Sequence, residues 1–150
     1  MINYDELIKY INECNDHYRE ILNFETKKLA LVTADDVEGI YKMINQEQAY
    51  VMKSNAFEKR RFQLLVDEKD KNFSQIIDEA PDNYKRRLRN GHRELSRLVL
   101  QIKKVNSDAQ EIVAHRLRVM SSIKNGFVNS YNNDGTTQRS DTVSILNQDI

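Results

Sequence analysis

The feature that most constrains the fold is a row of apolar residues that runs from Tyr84 to Ile123. The row advances in alternating steps of four and three residues, and only Gly91 and Arg116 depart from its apolar character. Its members are Tyr84, Leu88, Gly91, Leu95, Leu98, Ile102, Val105, Ala109, Ile112, Arg116, Val119 and Ile123. A β-strand alternates with period two, whereas a helix packed along another helix shows this spacing. The row, called the seam below, predicts a helix roughly 60 Å long in an elongated bundle, a shape that favours a binding protein over an enzyme.

The composition is typical of long, solvated helices in a single domain. The 150 residues include one proline, four glycines and no tryptophan, and 31% of them are charged. Lysine and arginine together number 23, as do aspartate and glutamate, so the formal net charge is zero. A neutral chain has no general attraction to nucleic acid or to an anionic membrane. The basic stretch at residues 85–89 is therefore interpreted as a solvated helix surface rather than as a phosphate contact.

The chain shows neither a secretory nor a membrane pattern. Cys14 is its one cysteine, which excludes an intrachain disulfide and fits a reducing compartment. Residues 1–6 lack the basic and apolar regions of a signal peptide. No apolar run approaches the roughly 20 residues of a membrane-spanning helix. We expect a cytoplasmic protein that does not insert into membranes.

Helical periodicity divides the chain into four helices and a tail. The predicted helices span about residues 5–31, 34–70, 73–80 and 82–125. Short connections predict that consecutive helices are antiparallel. Residues 128–150 begin with many Asn, Ser, Gly, Thr and Asp residues, which cannot bury enough surface to offset their chain entropy, so they are predicted to form a flexible tail. The fold class is all-α, an elongated antiparallel bundle of three long helices with one short connecting helix, and residues 1–127 are its domain.

Local signals mark the helix boundaries and faces. Thr33 and Asp36 form a capping box, which places a turn at about residues 32–34. Pro81 ends the short helix, and Asp82 caps the last one. The inward candidates of the second helix are Val37, Ile40, Tyr41, Ile44, Val51, Phe62 and Leu65. Polar residues interrupt this face at Gln48, Asn55 and Glu58, which predicts a weak core there or a stretch that something else covers.

Residues that could carry chemistry are few and scattered. Cys14 and His17 share one helix face, but no nearby ligand completes a metal site, so we expect Cys14 in ordinary packing and His17 at the surface or its edge. Arg116 either marks where the seam meets water or pairs with Glu25 or Glu58. The sequence holds no glycine-rich phosphate loop and no paired-cysteine motif. We expect no cofactor, no metal and no enzymatic activity.

A second apolar row flanks the seam on the last helix. Its members, at seven-residue intervals, are Val99, Asn106, Val113 and Met120. Leu100 and Leu117 point away from the seam. One exposed leucine needs no explanation, but two on a thin bundle indicate further packing.

Four segments spread over nearly the whole chain share the pattern of one protein family. Residues 29–35 read Leu-Ala-Leu-Val-Thr-Ala-Asp at the end of the first helix, and residues 45–52 read Asn-Gln-Glu-Gln-Ala-Tyr-Val-Met in the second. Residues 98–106 form a leucine-containing stretch that ends in Asn, and residues 131–135 read Tyr-Asn-Asn-Asp-Gly. Together these segments resemble the FlgN family of flagellar type III export chaperones. Gln48 stands where the family usually has lysine.

The resemblance implies a chaperone that binds hook-associated flagellar proteins and keeps their terminal helical segment unassembled until type III secretion. It also implies docking at the flagellar export gate through Tyr131, with contact to the ATPase complex of the gate left open. Tyr131 could instead be the last packed residue of the long helix. The outer apolar residues predicted to bind cargo are Leu100, Val113, Leu117, Met120, Phe127, Val143, Ile145 and Leu146. Each of these could equally belong to the core.

A structural reading stands beside the chaperone reading. The same seam could pair two copies of the chain as a coiled-coil homodimer that serves as a structural or adaptor protein. A stable dimer that ignores cargo peptides would favour this alternative, and one-to-one binding of a cargo helix would favour the chaperone.

Overall fold

A computed structural model of the chain describes residues 1–127, which form helices with no strand among them. The α-helices are α1 (Tyr4–Thr33), α2 (Val37–Leu64), α3 (Phe73–Glu79) and α4 (Asp82–Phe127), with a 3₁₀ turn at Val66–Glu68. The all-α prediction is confirmed. At 1.5 Å per residue, α4 alone is roughly 70 Å long. The predicted tail, residues 128–150, lies outside the described residues.

The turn between α1 and α2 lies later in the chain than predicted. Thr33 does not cap α2, because its hydroxyl donates to the Leu29 carbonyl at 2.8 Å within the last turn of α1. Asp36 is the cap instead, and its side chain accepts from the Gly39 amide at 2.9 Å. Between them Asp35 has φ 58°, a left-handed conformation that reverses the chain. The predicted capping box at Thr33 is therefore wrong.

The second long helix is shorter than predicted, because α2 ends at Leu64 and not near residue 70. The charged residues that follow it leave the helix to reach other partners. Asp67 pairs with the N-terminal amine at 3.1 Å, and Lys71 pairs with Glu79 of α3 at 2.5 Å. A complete capping box of Asn72 and Gln75 then starts α3 close to its predicted position.

The central helix of the fold is α1, which packs against both α4 and α2. It runs parallel to α4, since the Tyr4 and Tyr84 rings stack 5.4 Å apart near the start of both helices. It runs antiparallel to α2, since Tyr10 packs against Phe57, and Phe24, which comes later in α1, packs against Tyr50, which comes earlier in α2. Helices α2 and α4 share few close contacts. The three long helices therefore do not contact one another equally: α1 packs against both others, whereas α2 and α4 have little contact with each other.

The interface of α1 with α4 explains why glycine interrupts the seam at residue 91. A Cβ atom there would overlap the side chain of Ile11 on α1. The Asn15 side chain also donates to the Gly91 carbonyl at 3.2 Å. The two helices approach closely at this point, and any larger residue would push them apart.

Candidate interaction surface

The seam is buried along its first two thirds and open at its end. The residues that α1 and its neighbours bury include Leu88, Leu95, Leu98, Ile102 and Ala109. Val119 and Ile123 are exposed, although they continue the same spacing. The reason is that α1 ends at Thr33, whereas α4 runs on to Phe127. A second copy of the chain could pair only with the open end, because the rest of the seam is already covered within the chain.

Arg116 marks the point at which the seam leaves α1. Its guanidinium donates to the Val32 carbonyl and, at 2.7 Å, to the Thr33 carbonyl, and it lies 3.3 Å from the Asp35 carboxylate. The last carbonyls of a helix have no partner within the helix, and a guanidinium suits them as a multiple donor. The predicted pairing of Arg116 with Glu25 or Glu58 is wrong.

The charged residues that were predicted to pair with Arg116 have other partners. Glu25 meets Lys28 at 3.4 Å, and Glu58 meets Arg61 at 2.7 Å. Arg116 therefore acts as a clamp between the C-terminus of α1 and the side of α4, and beyond this clamp α4 has no α1 beside it.

Four of the predicted cargo-binding residues lie in the described part of the chain, and all four are exposed. They are Leu100 (67% exposed), Val113 (43%), Leu117 (45%) and Met120 (65%). The last three share one face of α4, because they are spaced by four and three residues. Leu100 lies roughly 140° around the helix from Val113, at 100° per residue. The structure thus groups Val113, Leu117 and Met120 and separates Leu100 from them.

The remaining predicted site residues cannot be placed. Phe127 is the last helical residue, but its side chain is outside the described residues. Tyr131, Val143, Ile145 and Leu146 also lie outside them. Their roles stay predictions.

The row that flanks the seam is covered at one end and bare at the other. Seven residues before Val99, the same row includes His92, whose ring stacks on Phe73 of α3 with centroids 5.0 Å apart. Val99 packs against the core, and Asn106 is buried. Val113 and Met120, the next two members, are exposed. The bare end of this row and the open end of the seam together form an apolar surface on the last third of α4.

Most of the inward candidates predicted for α2 are not buried. Val37, Tyr41, Ile44 and Phe62 are exposed, so their predicted inward orientation is wrong. Their side chains face away from α1 because α2 turns a different set of residues toward it. That set is Met43, Glu47, Tyr50, Ser54 and Phe57, of which two are polar.

Two polar contacts explain how α2 can bury such residues. His17 was predicted at the surface, but it is 1% exposed, and its Nε2 lies 2.7 Å from the Ser54 hydroxyl. Desolvation, with a smaller repulsion from Lys53, lowers the pKa of His17 to about 4. One sequence signal could have indicated its burial, because Tyr10, His17 and Phe24 recur every seven residues and face the rings of α2.

The second polar contact is a buried ionic cluster of Glu25, Lys28 and Glu47. The Lys28 ammonium lies 3.2 Å from a Glu47 oxygen and 3.4 Å from a Glu25 oxygen. Burial raises the pKa of Glu25, and the adjacent Lys28 charge opposes that rise. The cluster joins α1 to α2. An open hollow of about 490 Å³ lies elsewhere, beside Arg116, and is lined by Thr33, Asp108, Glu111, Ile112, His115 and Arg116.

The described residues give no sign of metal chemistry. Residues 1–127 contain no group of three or more His, Cys, Asp or Glu side chains placed to hold a metal ion. Cys14 is buried in the core, as expected. None of the helices in this part of the chain has the length and apolarity to cross a membrane.

An exposed apolar surface at the end of a long helix suits the binding of another polypeptide. Comparison with known protein families identifies the kind of binding protein. The model of the family described as FlgN protein matches residues 1–139. This chain belongs to the FlgN family. The FlgN family is a family of flagellar export chaperones, so the general role of the chain is that of a flagellar export chaperone. Searches of curated proteins and of solved structures found no match.

Proposed function

We propose that this FlgN-family chain is a cytoplasmic chaperone that binds the terminal helical segment of a hook-associated flagellar protein and keeps it unassembled until export. The observation that carries the proposal is the exposed apolar surface on the last third of α4, where Val113, Leu117 and Met120 share one face. An amphipathic helix binds such a surface through apolar residues spaced at i, i+3, i+4 and i+7.

Burial of the exposed side chains contributes to the affinity for a client. Fully burying one aliphatic side chain contributes about 1.5–3 kcal/mol, so completing the burial of a half-exposed one contributes on the order of 1 kcal/mol. The side chains left uncovered here are Val113, Leu117, Val119, Met120 and Ile123. The client contributes a matching apolar face, and the two faces together offset part of the cost of ordering the client.

Binding of a cargo peptide tests this proposal directly. A fluorescein-labelled peptide of the C-terminal helical segment of a hook-associated protein is titrated with the chaperone, and its anisotropy is followed. We expect one-to-one binding with a micromolar or lower dissociation constant. Leu117→Asp is expected to raise that constant tenfold or more, because it places a charge on the apolar face. Removing residues 142–150, which include Val143, Ile145 and Leu146, is also expected to weaken binding.

Leu100→Asp is the matched control, since Leu100 is also an exposed leucine and lies on another side of α4. It is expected to change the dissociation constant less than twofold. If the native chaperone does not bind the peptide at saturating concentrations, the proposed function is wrong. If Leu100→Asp weakens binding as much as Leu117→Asp, the client does not lie on the proposed face alone.

We further propose that Tyr131 contacts the export gate, or the ATPase complex associated with it, after cargo is bound. An aromatic residue in the predicted tail suits a transient contact, because aromatic side chains often anchor interfaces. Tyr131→Ala is expected to leave peptide affinity unchanged and to reduce the amount of hook-associated protein secreted into the medium. Tyr131→Phe, which keeps the aromatic ring, is the control and is expected to keep secretion near the native level. Loss of peptide binding in Tyr131→Ala would contradict this division of roles.

A further inference from the structure

A mostly apolar row on α2 mirrors the flanking row on α4. Its members, at seven-residue intervals, are Val37, Ile44, Val51 and the polar Glu58, and Leu65 continues the spacing just after the helix ends. Val51 and Leu65 are half-buried and pack against the core. Val37 and Ile44 are exposed, by 66% and 45%. This row is therefore covered toward the C-terminus of α2 and bare toward its N-terminus, whereas the row on α4 is covered first and bare at its C-terminus.

Because α1 is parallel to α4 and antiparallel to α2, the bare halves of the two rows lie at the same end of the rod. The contacts that α2 and α4 make with α1 give the positions of the exposed residues along the long axis of the bundle. On α2, Glu47 meets Lys28 of α1 at 3.2 Å. Ile44 lies three residues closer to the start of α2 than Glu47, which puts it level with about residue 31 of α1.

The height of the α4 row follows in the same way from the Arg116 clamp. Arg116 donates to the Thr33 carbonyl of α1 at 2.7 Å. Val113 lies three residues before Arg116, which puts it level with about residue 30 of α1. Val113 of α4 is thus level with Ile44 of α2.

One heptad further toward the open end, Met120 of α4 is level with Val37 of α2, since each lies seven residues beyond its neighbour in the row. Seven residues of helix rise about 10 Å. The exposed pair on α4, Val113 and Met120, and the exposed pair on α2, Val37 and Ile44, therefore cover the same length of the bundle. They are called the two walls below. Since α2 and α4 share few close contacts, neither wall covers the other.

The chain itself shows what kind of element fits on this face. Helix α3 lies against α4 at the covered end of the row, where Phe73 stacks on His92. Ile76 and Ile77 of α3 are buried with Leu88 in the core. The same row of α4 that α3 covers at His92 is the row that is bare at Val113 and Met120. A helix already occupies one end of it, and the continuation has the spacing that another helix would match.

We infer that the client helix occupies the position of a fourth helix, lying against both α2 and α4 at the open end and continuing the line of α3. In this arrangement Val113 and Met120 form one wall and Val37 and Ile44 form the other. The client is an amphipathic helix that presents apolar residues seven apart toward both walls. This inference rests on the proposed function, and it adds α2 to a client site whose predicted residues lie on α4 and in the tail.

Substitution on α2 separates this inference from the proposed function. Ile44→Asp is expected to raise the dissociation constant of the cargo peptide about tenfold. Met52→Asp is the matched control, because Met52 is an exposed apolar residue of the same helix that lies outside the row. It is expected to have less than a twofold effect. Circular dichroism of both variants shows whether they keep the helical content of the native chain.

Cross-linking gives a second measurement that does not depend on the stability of the aspartate variant. With oxidised glutathione as the oxidant, Ile44→Cys is expected to form a disulfide with a cysteine in the apolar face of the peptide, and Met52→Cys is not. If Leu117→Asp abolishes binding while Ile44→Asp does not weaken it and position 44 does not cross-link, α2 is not part of the site and the inference is overturned while the proposed function stands.

Two other occupants of the α2 row would also overturn the inference. If Ile44→Asp converts a dimer to a monomer in sedimentation and leaves peptide affinity unchanged, a second copy covers the row. If removal of residues 142–150 tightens peptide binding about tenfold, the end of this chain covers it. Absence of peptide binding by the native chain would reject the proposed function itself.

Discussion

Replacing Lys28 with methionine is expected to lower the free energy of unfolding at pH 7 by about 3–5 kcal/mol, the usual cost of removing one partner from a buried ion pair. The ammonium lies between the buried carboxylates of Glu47 and Glu25, at 3.2 and 3.4 Å. Without it, two buried carboxylates remain with no positive charge beside them. Urea unfolding followed by circular dichroism measures the loss.

The pH dependence of the Lys28 variant identifies the cause. Burial already raises the pKa of Glu25 in the native chain. Loss of the Lys28 ammonium removes the positive charge that opposes this rise. A carboxyl whose pKa is raised on folding stabilises the protein below its unfolded pKa and loses that contribution as pH rises through its folded pKa. The deficit of Lys28→Met should therefore shrink as pH falls from 7 toward 5.

Two controls accompany this experiment. Lys42→Met removes an exposed pair with Glu38 at 3.5 Å and should change stability by less than about 0.5 kcal/mol. The triple variant Glu25→Leu, Lys28→Met, Glu47→Leu removes every charge of the cluster and should recover much of the loss, because apolar replacements of buried ion pairs are often neutral or better. Native stability of Lys28→Met at pH 7 would show that the cluster is solvated and that its burial is misjudged.

The parts of the fold that were predicted correctly depend on aliphatic spacing within a single helix. The seam of α4 needed no knowledge of its partner, because leucines and isoleucines at four- and three-residue steps are buried against whatever helix lies beside them. The short helix before Pro81 was predicted for a similarly local reason, since proline cannot continue a helix. Both features are properties of the chain over a few turns, and the structure confirms the short helix and the burial of the seam from Leu88 to Ala109.

The orientation of α2 was predicted wrongly because it depends on residues far away in the sequence. Hydrophobicity alone turns Val37 and Ile44 inward and Glu47 and Ser54 outward. The structure does the reverse, because Lys28 and His17 of α1 supply partners for those polar groups. A buried polar side chain is acceptable when it is paired, and a single helix does not reveal its pair.

The candidate site was predicted only in part, again because it depends on contacts between helices. Val113, Leu117 and Met120 stand out in the sequence as apolar residues beyond the needs of the seam, and the structure leaves them exposed on one face. Their uncovered state could not be deduced from α4 alone. It follows from where α1 ends and from the Arg116 clamp, which are tertiary features. Leu100 was included in the prediction because it points away from the seam, and in the structure it lies on a different side of α4 from Val113.

Acidification is expected to destabilise the protein through His17, by about 3 kcal/mol between pH 7 and pH 4. His17 is buried against Tyr18, Tyr50 and Phe57, and its Nδ1 has no hydrogen-bond partner among the described residues. Its pKa falls from 6.5 to about 4 on folding. The unfolded chain therefore binds the proton more readily, so the stability that neutral His17 provides is complete above pH 6.5 and is lost as pH falls toward 4.

The contribution of His17 is isolated by comparing pH profiles of the free energy of unfolding for the native chain and for His17→Gln. Glutamine does not titrate and can still bond to the Ser54 hydroxyl, whereas Glu25 and the other carboxyls titrate in both proteins. Between pH 6 and pH 4.5 the native chain should lose stability more steeply than the variant, by about 1.4 kcal/mol per pH unit. Parallel profiles would mean that His17 is charged or solvated in the folded protein. A steeper native profile would establish that the aromatic interface of α1 with α2, which turns Val37 and Ile44 outward, is held together around a neutral imidazole.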